Sequence, residues 1–527
     1  MVRFRIGVVA AGVALALGGL VAAAFFAWPD VRITVARGGL AHISLPGFAG
    51  SSSGVEVAGE GGANVPVQVR GGTVWPLAKV PAGERLTVSV QVRRPGWIGW
   101  LVGGSEERTL SLTTPAGELG VRWLEPKPGA PVKIRFDVPV SRVSLGGNTT
   151  ELARPRRVVS LGVVASGASS AGRVKVAAAA RSWETLSKPV QVSWFVVGPK
   201  PKLLAKPRPG VRIGPGHALT LTFSRPVAEV LGSKRPTLKP ATPGKWRLVD
   251  GHTLSFVPSG LGFPLGATIH VKLPAPVVVP SLDTAKPLRL LRWSIPAGSQ
   301  LRLQELLATL GYLPLSWQPA QDPPATAASE LQAAISPPVG TFTWRYPHTP
   351  ASLKALWQPG KSNEVTRAAI MTFEDSHDLP VDGLVGAAVW RALIQDALQR
   401  KRHTGGYSYV FVHEAVPQNL NLWHNGKVIV TSPGNTGIAS APTQTGTWPV
   451  FEHIPVGTMS GTNPDGSHYN DPGVQWISYF HGGDALHAFP RASYGTPQSL
   501  GCVELPADAA AQVWPYTPIG TLVTIEN

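Results

Sequence analysis

The sequence predicts a multidomain, mainly β fold: an N-terminal transmembrane helix, tandem β-sandwich units, a small three-helix module and a β-rich C-terminal domain. Three observations lead there. The chain has 527 residues, too many for one hydrophobic core and enough for about three to five domains. Its 58 glycines and 51 prolines punctuate short runs rich in Val, Leu and Thr, as strands separated by turns require. The hydrophobic period changes from alternation to helical spacing near Leu301 and returns to alternation near Ser408.

Residues 6–28 carry no charge and are rich in Ala, Val, Leu and Gly. A bilayer needs about 20 such residues, so this segment is expected to span it. Arg3 and Arg5 precede it, while Pro29 and Asp30 follow, which puts the N-terminus in the cytoplasm and the rest outside. A cleaved signal peptide is the alternative, although its apolar stretch is usually shorter. The anchor reading makes residues 1–30 a cytoplasmic stub and membrane segment; either way the bulk is extracytoplasmic. Lys and Arg total 48 against 31 Asp and Glu, a formal charge of +17. A basic surface needs an anionic neighbour. There is no zinc spacing and no RNP-like aromatic strand, so no nucleic-acid partner is expected, and the compartment points to anionic wall polymers.

From Val31 to about Pro199 the runs alternate, as in Leu86-Thr87-Val88-Ser89-Val90-Gln91-Val92, the mark of a half-buried strand. The frame Phe-x-x-Pro-Val-x-x-Val occurs at Phe136 and again at Phe223, an offset of 87 that suits one small sandwich per copy. The second copy continues into Gly244-Lys245-Trp246 and Thr253-Leu254-Ser255-Phe256. This resembles bacterial Ig-like modules, and residues 31–118, 119–198 and 199–295 are read as three such units, serving as spacers.

Leu303, Leu306, Leu307 and Leu310 fall at helical spacing, with Gly311 as a natural stop. A second helix is expected from Glu364, with Val365, Ala368, Ala369 and Phe373 on one stripe, and a third near Ala388 to Gln399. The phrases Leu303-Gln304-x-x-Leu307, Thr366-Arg367-Ala368-Ala369, Leu379-Pro380-Val381-Asp382-Gly383-x-Val385-Gly386 and Val389-Trp390-x-x-Leu393 resemble the peptidoglycan-binding domain family, over about residues 299–397. The reading assigns residues 296–400 to this module. A Pro/Ala/Ser-rich insert between Gly311 and Asn363 departs from that family's pattern.

The chain contains one cysteine, Cys502, in the run Ser499-Leu500-Gly501-Cys502-Val503. Outside the cell most cysteines pair, so a solitary one is either inert filler or a free thiol with a task. The Gly before it and the Ser three before it read as a tight, exposed turn. Two histidines compete to be its base: His487, fifteen residues upstream, and His481, twenty-one upstream. His487 is preferred because it follows Ala485-Leu486 after a Gly-Gly break, leaving His481 to line a cleft. His468 and Tyr469 fall in a Gly/Asn/Asp-rich loop that could cover the site. Acyl transfer from an amide needs a strong nucleophile at neutral pH, and a thiol becomes one when a neighbouring His takes its proton. Backbone N–H groups of Gly501 and Cys502 are candidate oxyanion donors, since Gly permits a sharp turn. No metal-ligand spacing is present, so neither metal nor cofactor is expected.

Residues 407–527, with the Asn425-Gly426 hairpin turn, the His, the Gly495-Thr496-Pro497 loop, the Ser-x-Gly-Cys turn and the closing Gly520-Thr521-Leu522-Val523, resemble the L,D-transpeptidase catalytic domain family. Leu500 stands where that family usually has His, and Glu504 where Asn or Arg is common. Ala488 replaces a Gly after the base. The resemblance implies that the acceptor holding the His is a backbone carbonyl near Ala488. It also implies attack by Cys502 on the bond before the terminal D-Ala of a peptidoglycan tetrapeptide stem, cross-linking to a second stem, and capture by carbapenems. Water in place of the amine would make the protein an L,D-carboxypeptidase-like hydrolase, and a different thiol acyltransferase acting on a wall-linked protein is a further alternative. Leu500 and Glu504 motivate a non-catalytic wall-binding anchor as the rival. Partners implied are stem peptides, glycan, and the cytoplasmic membrane through the first helix.

Overall fold

A computed structural model describes residues 18–19, 31–45, 51–94, 96, 99, 103–164, 171–282 and 286–527. The expected membrane segment, residues 6–28, lies outside the described residues apart from Gly18 and Gly19. Among the described residues no helix is long and apolar enough to cross a membrane. The chain divides into two compact units, one of residues 1–204, 222–226 and 277–287, the other of residues 205–221, 227–276 and 288–527.

The first unit opens with two sheets, one of four strands built from Arg32–Val35, Ala41–Ser44, Thr73–Pro76 and Val67–Arg70, the other of three built from Ser51–Gly59, Arg85–Arg93 and Ser105–Thr113. Alternation decides the burial: Leu86, Val88, Val90 and Val92 point into the core while Arg85, Gln91 and Arg93 face solvent. Trp183 joins that core from the following segment, and its indole N–H donates to the Gly38 carbonyl at 2.8 Å. Residues 119–198 hold one five-stranded sheet, rather than two packed ones, around the hairpin Pro131–Leu145 and Asn148–Val164. Alternation reveals that one strand face is buried, but not whether a second sheet or another segment buries it.

The helical region is richer than the three helices expected. α1 (Gln300–Leu310) ends at Gly311 with φ +94°, and α2 (Ala327–Ile335), α3 (Ala351–Ala355), α4 (Glu364–Asp375) and α5 (Ala387–Gln399) follow. The insert therefore has structure of its own: α2, α3 and a two-stranded ribbon of Leu315–Pro319 with Gly340–Trp344. Trp317, Phe342 and Trp357 stack in series at 4.7 and 5.1 Å, which gives the Pro/Ala/Ser-rich segment an apolar centre. Thr326 closes a capping box with Ser329, a start signal for α2. Arg302 on α1 bonds Glu305 at 2.9 Å and Glu330 on α2 at 2.7 Å, all three buried.

The C-terminal domain pairs two sheets. The first, in spatial order, runs Lys427–Pro433, Asn419–His424, Ser408–His413, Leu522–Glu526 and Gly446–Pro449. The second runs Glu452–Thr462, then His468–His481, Asp484–Ala488 and Val503–Leu505, with α6 (Ala507–Val513) following. Their shared core contains Val410, Leu420, Phe480, Leu486, Val503 and Val523. The Asn425-Gly426 turn has φ of +47° and +98°, the left-handed pair that a two-residue hairpin needs.

α4 lies against this domain. Thr372 Oγ1 donates to Ile519 O at 3.2 Å, and Gly520 sits at φ +85° where a Cβ would come within 2.1 Å of Thr372 Oγ1 and 2.5 Å of Ala368 O. Gly520→Ala is therefore expected to cost about 2 kcal/mol, from both the left-handed backbone and the clash with α4. Thermal unfolding of the two proteins measures it, and an equal Tm would contradict the contact.

Candidate active site

Two parallel strands position the candidate residues. Asp484–Ala488 pairs with Val503–Leu505 in the register Leu486 to Val503, His487 to Glu504 and Ala488 to Leu505. Strand alternation puts Ala485 and His487 on one face, and Cys502 lies in the bend directly before the neighbouring strand Val503–Leu505. Cys502 packs against the cluster of Val474, Ile477 and Ala485 and is half-buried.

The turn before the cysteine is fixed by its own side chains. Ser499 Oγ donates to the Cys502 carbonyl at 2.5 Å and accepts from the Gly501 N–H at 3.3 Å. Gly501 has φ +116°, and a Cβ there would sit 2.3 Å from Asp484 Oδ1. Only glycine lets the turn close over that carboxyl. The segment before it is pinned by buried Asn435, whose backbone exchanges two 3.0 Å bonds with Glu504 and whose Oδ1 accepts from the Gly495 N–H at 3.0 Å.

His487 is 3 % exposed, and its Nδ1 lies 3.0 Å from the Ala488 carbonyl oxygen. That bond holds Nδ1 as the N–H and leaves Nε2 as the basic nitrogen. Burial holds the imidazole below its usual range, opposed by the Ala488 bond and the Glu504 carboxylate. The Cys502 thiol is pushed up to about 12 by burial, eased by a hydrogen bond from the Ala485 backbone and reinforced by the Asp484 and Glu504 carboxyls. The thiol donates to the Gly483 carbonyl at 3.7 Å. At neutral pH the resting pair is thus a neutral thiol and a neutral imidazole.

Glu504 is buried and gripped by Arg491, with Nε donating to Oε2 at 2.8 Å and Nη2 to Oε1 at 2.7 Å. Arg491 also lies over Phe489 at 4.7 Å, and Phe489 meets the His487 ring edge-to-face at 5.9 Å. The unusual acid two residues after the cysteine is therefore one half of an ion pair behind the imidazole. Removing one partner of such a pair leaves a buried charge. Glu504→Ala is expected to cost about 2 kcal/mol, reduced from the fully buried case because Arg491 is one-third exposed. Chemical denaturation reads this loss, and the double variant Glu504→Ala with Arg491→Ala should recover part of it.

His481 lies apart from this pair. Its Nδ1 is 3.4 Å from Asp484 Oδ2 and its ring rests on Trp448 at 4.6 Å. His468 and Tyr469 are not in a loop: they begin the strand His468–His481, paired in register with Thr462 and Gly461. Tyr469 and Tyr479 are both held above the usual phenol range, by burial first and then by the Cys502 sulfur. Sequence reading missed Asp484, Asn435, Arg491 and Tyr479; of them the Asn435 neighbourhood, Gly434-Asn435-Thr436-Gly437, and Asp484, after Gly482-Gly483, carry local turn signals.

Residues 407–525 match the L,D-transpeptidase catalytic domain family. Residues 354–393, the second half of the helical module, match the putative peptidoglycan-binding domain family. Among solved structures, an L,D-transpeptidase from Mycobacterium smegmatis aligns at 12 % identity over 62 % of this chain and 99 % of its own, with TM-score 0.21. L,D-transpeptidase 3 from Mycobacterium tuberculosis gives the same figures. The catalytic domain of the E. faecium L,D-transpeptidase aligns at 24 % identity over 22 % of this chain and 95 % of its own, with TM-score 0.21. No curated protein matches.

Proposed function

We propose that the chain is a cell-wall L,D-transpeptidase in which Cys502 is the nucleophile and His487 the base. One observation carries this reading: His487 stands on a strand that pairs in parallel with the strand directly following the cysteine turn, in a domain that matches the L,D-transpeptidase catalytic family. In the proposed reaction the Cys502 sulfur attacks the carbonyl carbon preceding the terminal D-Ala of a tetrapeptide stem. The thiol proton passes to His487 Nε2 as the C–S bond forms. The high thiol pKa makes prior ionisation unfavourable, so proton loss and attack go together. The tetrahedral oxyanion turns to the backbone N–H groups of Gly501 and Cys502, and Gly501 exchanges its long bond to Ser499 for the stronger charged one. Collapse expels D-Ala, whose amine takes the proton from His487. An amine of a second stem then attacks the thioester, loses its proton to His487 and restores the thiol. Water in the same position gives hydrolysis.

The helical module supports a hold on peptidoglycan, through its family match. The apolar run of residues 6–28 supports a single-pass anchor with the catalytic domain outside, and the +17 charge supports attraction to anionic wall polymers that weakens with salt. The raised thiol pKa and Leu500 favour the rival reading, a wall-binding anchor without catalysis. Incubation with purified disaccharide-tetrapeptide separates the two: D-Ala release is expected, and its absence supports the anchor.

A further inference from the structure

α4, the loop after it and the C-terminal domain enclose a cleft of about 460 Å³ lined by Arg367, Asp382, Trp448, Phe451, His481 and, at its base, Met371. Neither the peptidoglycan-binding segment nor the catalytic domain has this cleft alone, because each supplies one wall. We infer that it is a saccharide subsite that seats the glycan strand beside the cysteine; the inference rests on the transpeptidase reading and names where that substrate's sugar part binds.

The lining matches the chemistry of a sugar ring, which has apolar C–H faces and a rim of hydroxyl and acetamido groups. Trp448 and Phe451 supply an apolar wall, and Phe451 is 39 % exposed. Half-exposed Arg367 supplies donors from the opposite wall and is paired with Glu364 at 3.7 Å. Asp382 accepts from the Leu384 N–H with one carboxylate oxygen at 2.8 Å, and its carboxyl also neighbours that of Glu374. The volume falls in the range of pockets that bury small ligands, about 300–1,000 Å³.

Two chains of contact run from the cleft to the nucleophile. His481 in the lining meets Asp484, whose carboxyl lies against Gly501. Phe451 in the lining stacks on Tyr479 with centroids 6.3 Å apart, and Tyr479 packs against the same Val474, Ile477 and Ala485 cluster as Cys502. A glycan held here brings its own stem peptide to the thiol, which raises the stem's effective concentration there.

The test uses the full chain and glycan strands stripped of their stems by an amidase, with binding read by tryptophan fluorescence and by NMR. Saturable binding is expected. Arg367→Ala and Phe451→Ala, both at exposed positions, should each weaken it by about tenfold, the scale of one lost charged hydrogen bond or ring contact. A second measurement compares D-Ala release from disaccharide-tetrapeptide and from sugar-free tetrapeptide. The wild type should favour the first by about tenfold in kcat/KM, and either variant should lose that preference. Absence of glycan binding, or binding that both variants leave untouched, overturns the inference. Glycan binding is read without turnover, so its outcome stands apart from failure of the transpeptidase reading, which shows as no D-Ala release from either substrate.

Discussion

Cys502→Ala is expected to remove D-Ala release from disaccharide-tetrapeptide, a loss on the order of 10⁴-fold or more, as when other acyl enzymes lose their nucleophile. The chain has no second cysteine to take its place. The fold should survive the change. The sulfur packs against the Val474, Ile477 and Ala485 cluster as a partly buried neighbour, and alanine fits the same space with a small loss of contact. The Tm should therefore stay within a few degrees of the wild type while activity vanishes. Activity that persists in this variant rules out covalent catalysis by the thiol.

His487→Gln is expected to lower kcat by about 10²- to 10⁴-fold, the range for a lost acid–base group. Glutamine keeps most of the volume behind the Ala488 carbonyl, which limits the loss of folding that alanine would risk at a site 3 % exposed. The pH behaviour follows from the two pKa directions. His487 titrates below its ordinary range, so kcat/KM should rise as pH climbs through the region under about 6.5, then stay level through neutrality. Cys502 titrates near 12, so alkylation by iodoacetamide in the His487→Gln protein should be slow at pH 7 and keep rising to about pH 11. A flat alkylation rate from pH 6 to 8 indicates a preformed thiolate and contradicts the neutral pair. Stability carries the same sign. The folded His487 binds its proton more weakly than the unfolded one, so its stabilising share is present above about 6.5 and is lost as pH falls.

Local signals were legible and long-range ones were not. The hairpin at Asn425-Gly426 and the helix stop at Gly311 are turn chemistry, which a few adjacent residues determine. The tightness of the cysteine turn reads the same way, because Ser499 and Gly501 act within three residues of Cys502, but the turn is not exposed as expected: Ser499 and Gly501 are buried and Cys502 is half-buried. The Arg491–Glu504 pair joins residues 13 apart through a strand register that no local pattern reveals. The Asp484 carboxyl against Gly501 likewise depends on the pairing of two strands. Trp183 completes the core of the sandwich before it, and alternation along one strand cannot foretell such an insertion. The insert after Gly311 hid its fold because Ala, Pro and Ser dominate it, and three separated aromatic residues hold it together. His468 and Tyr469 sit in a strand although Gly, Asn and Asp surround them, since pairing with Thr462 and Gly461 overrides the local turn preference.

The most direct measurement is the intact mass of the chain after incubation with a carbapenem, followed by peptide mapping. The account predicts one added drug mass, located on the peptide that contains Cys502, formed at a rate that His487→Gln lowers and absent in Cys502→Ala. An unmodified wild-type mass, or an adduct that persists when Cys502 is alanine, contradicts it.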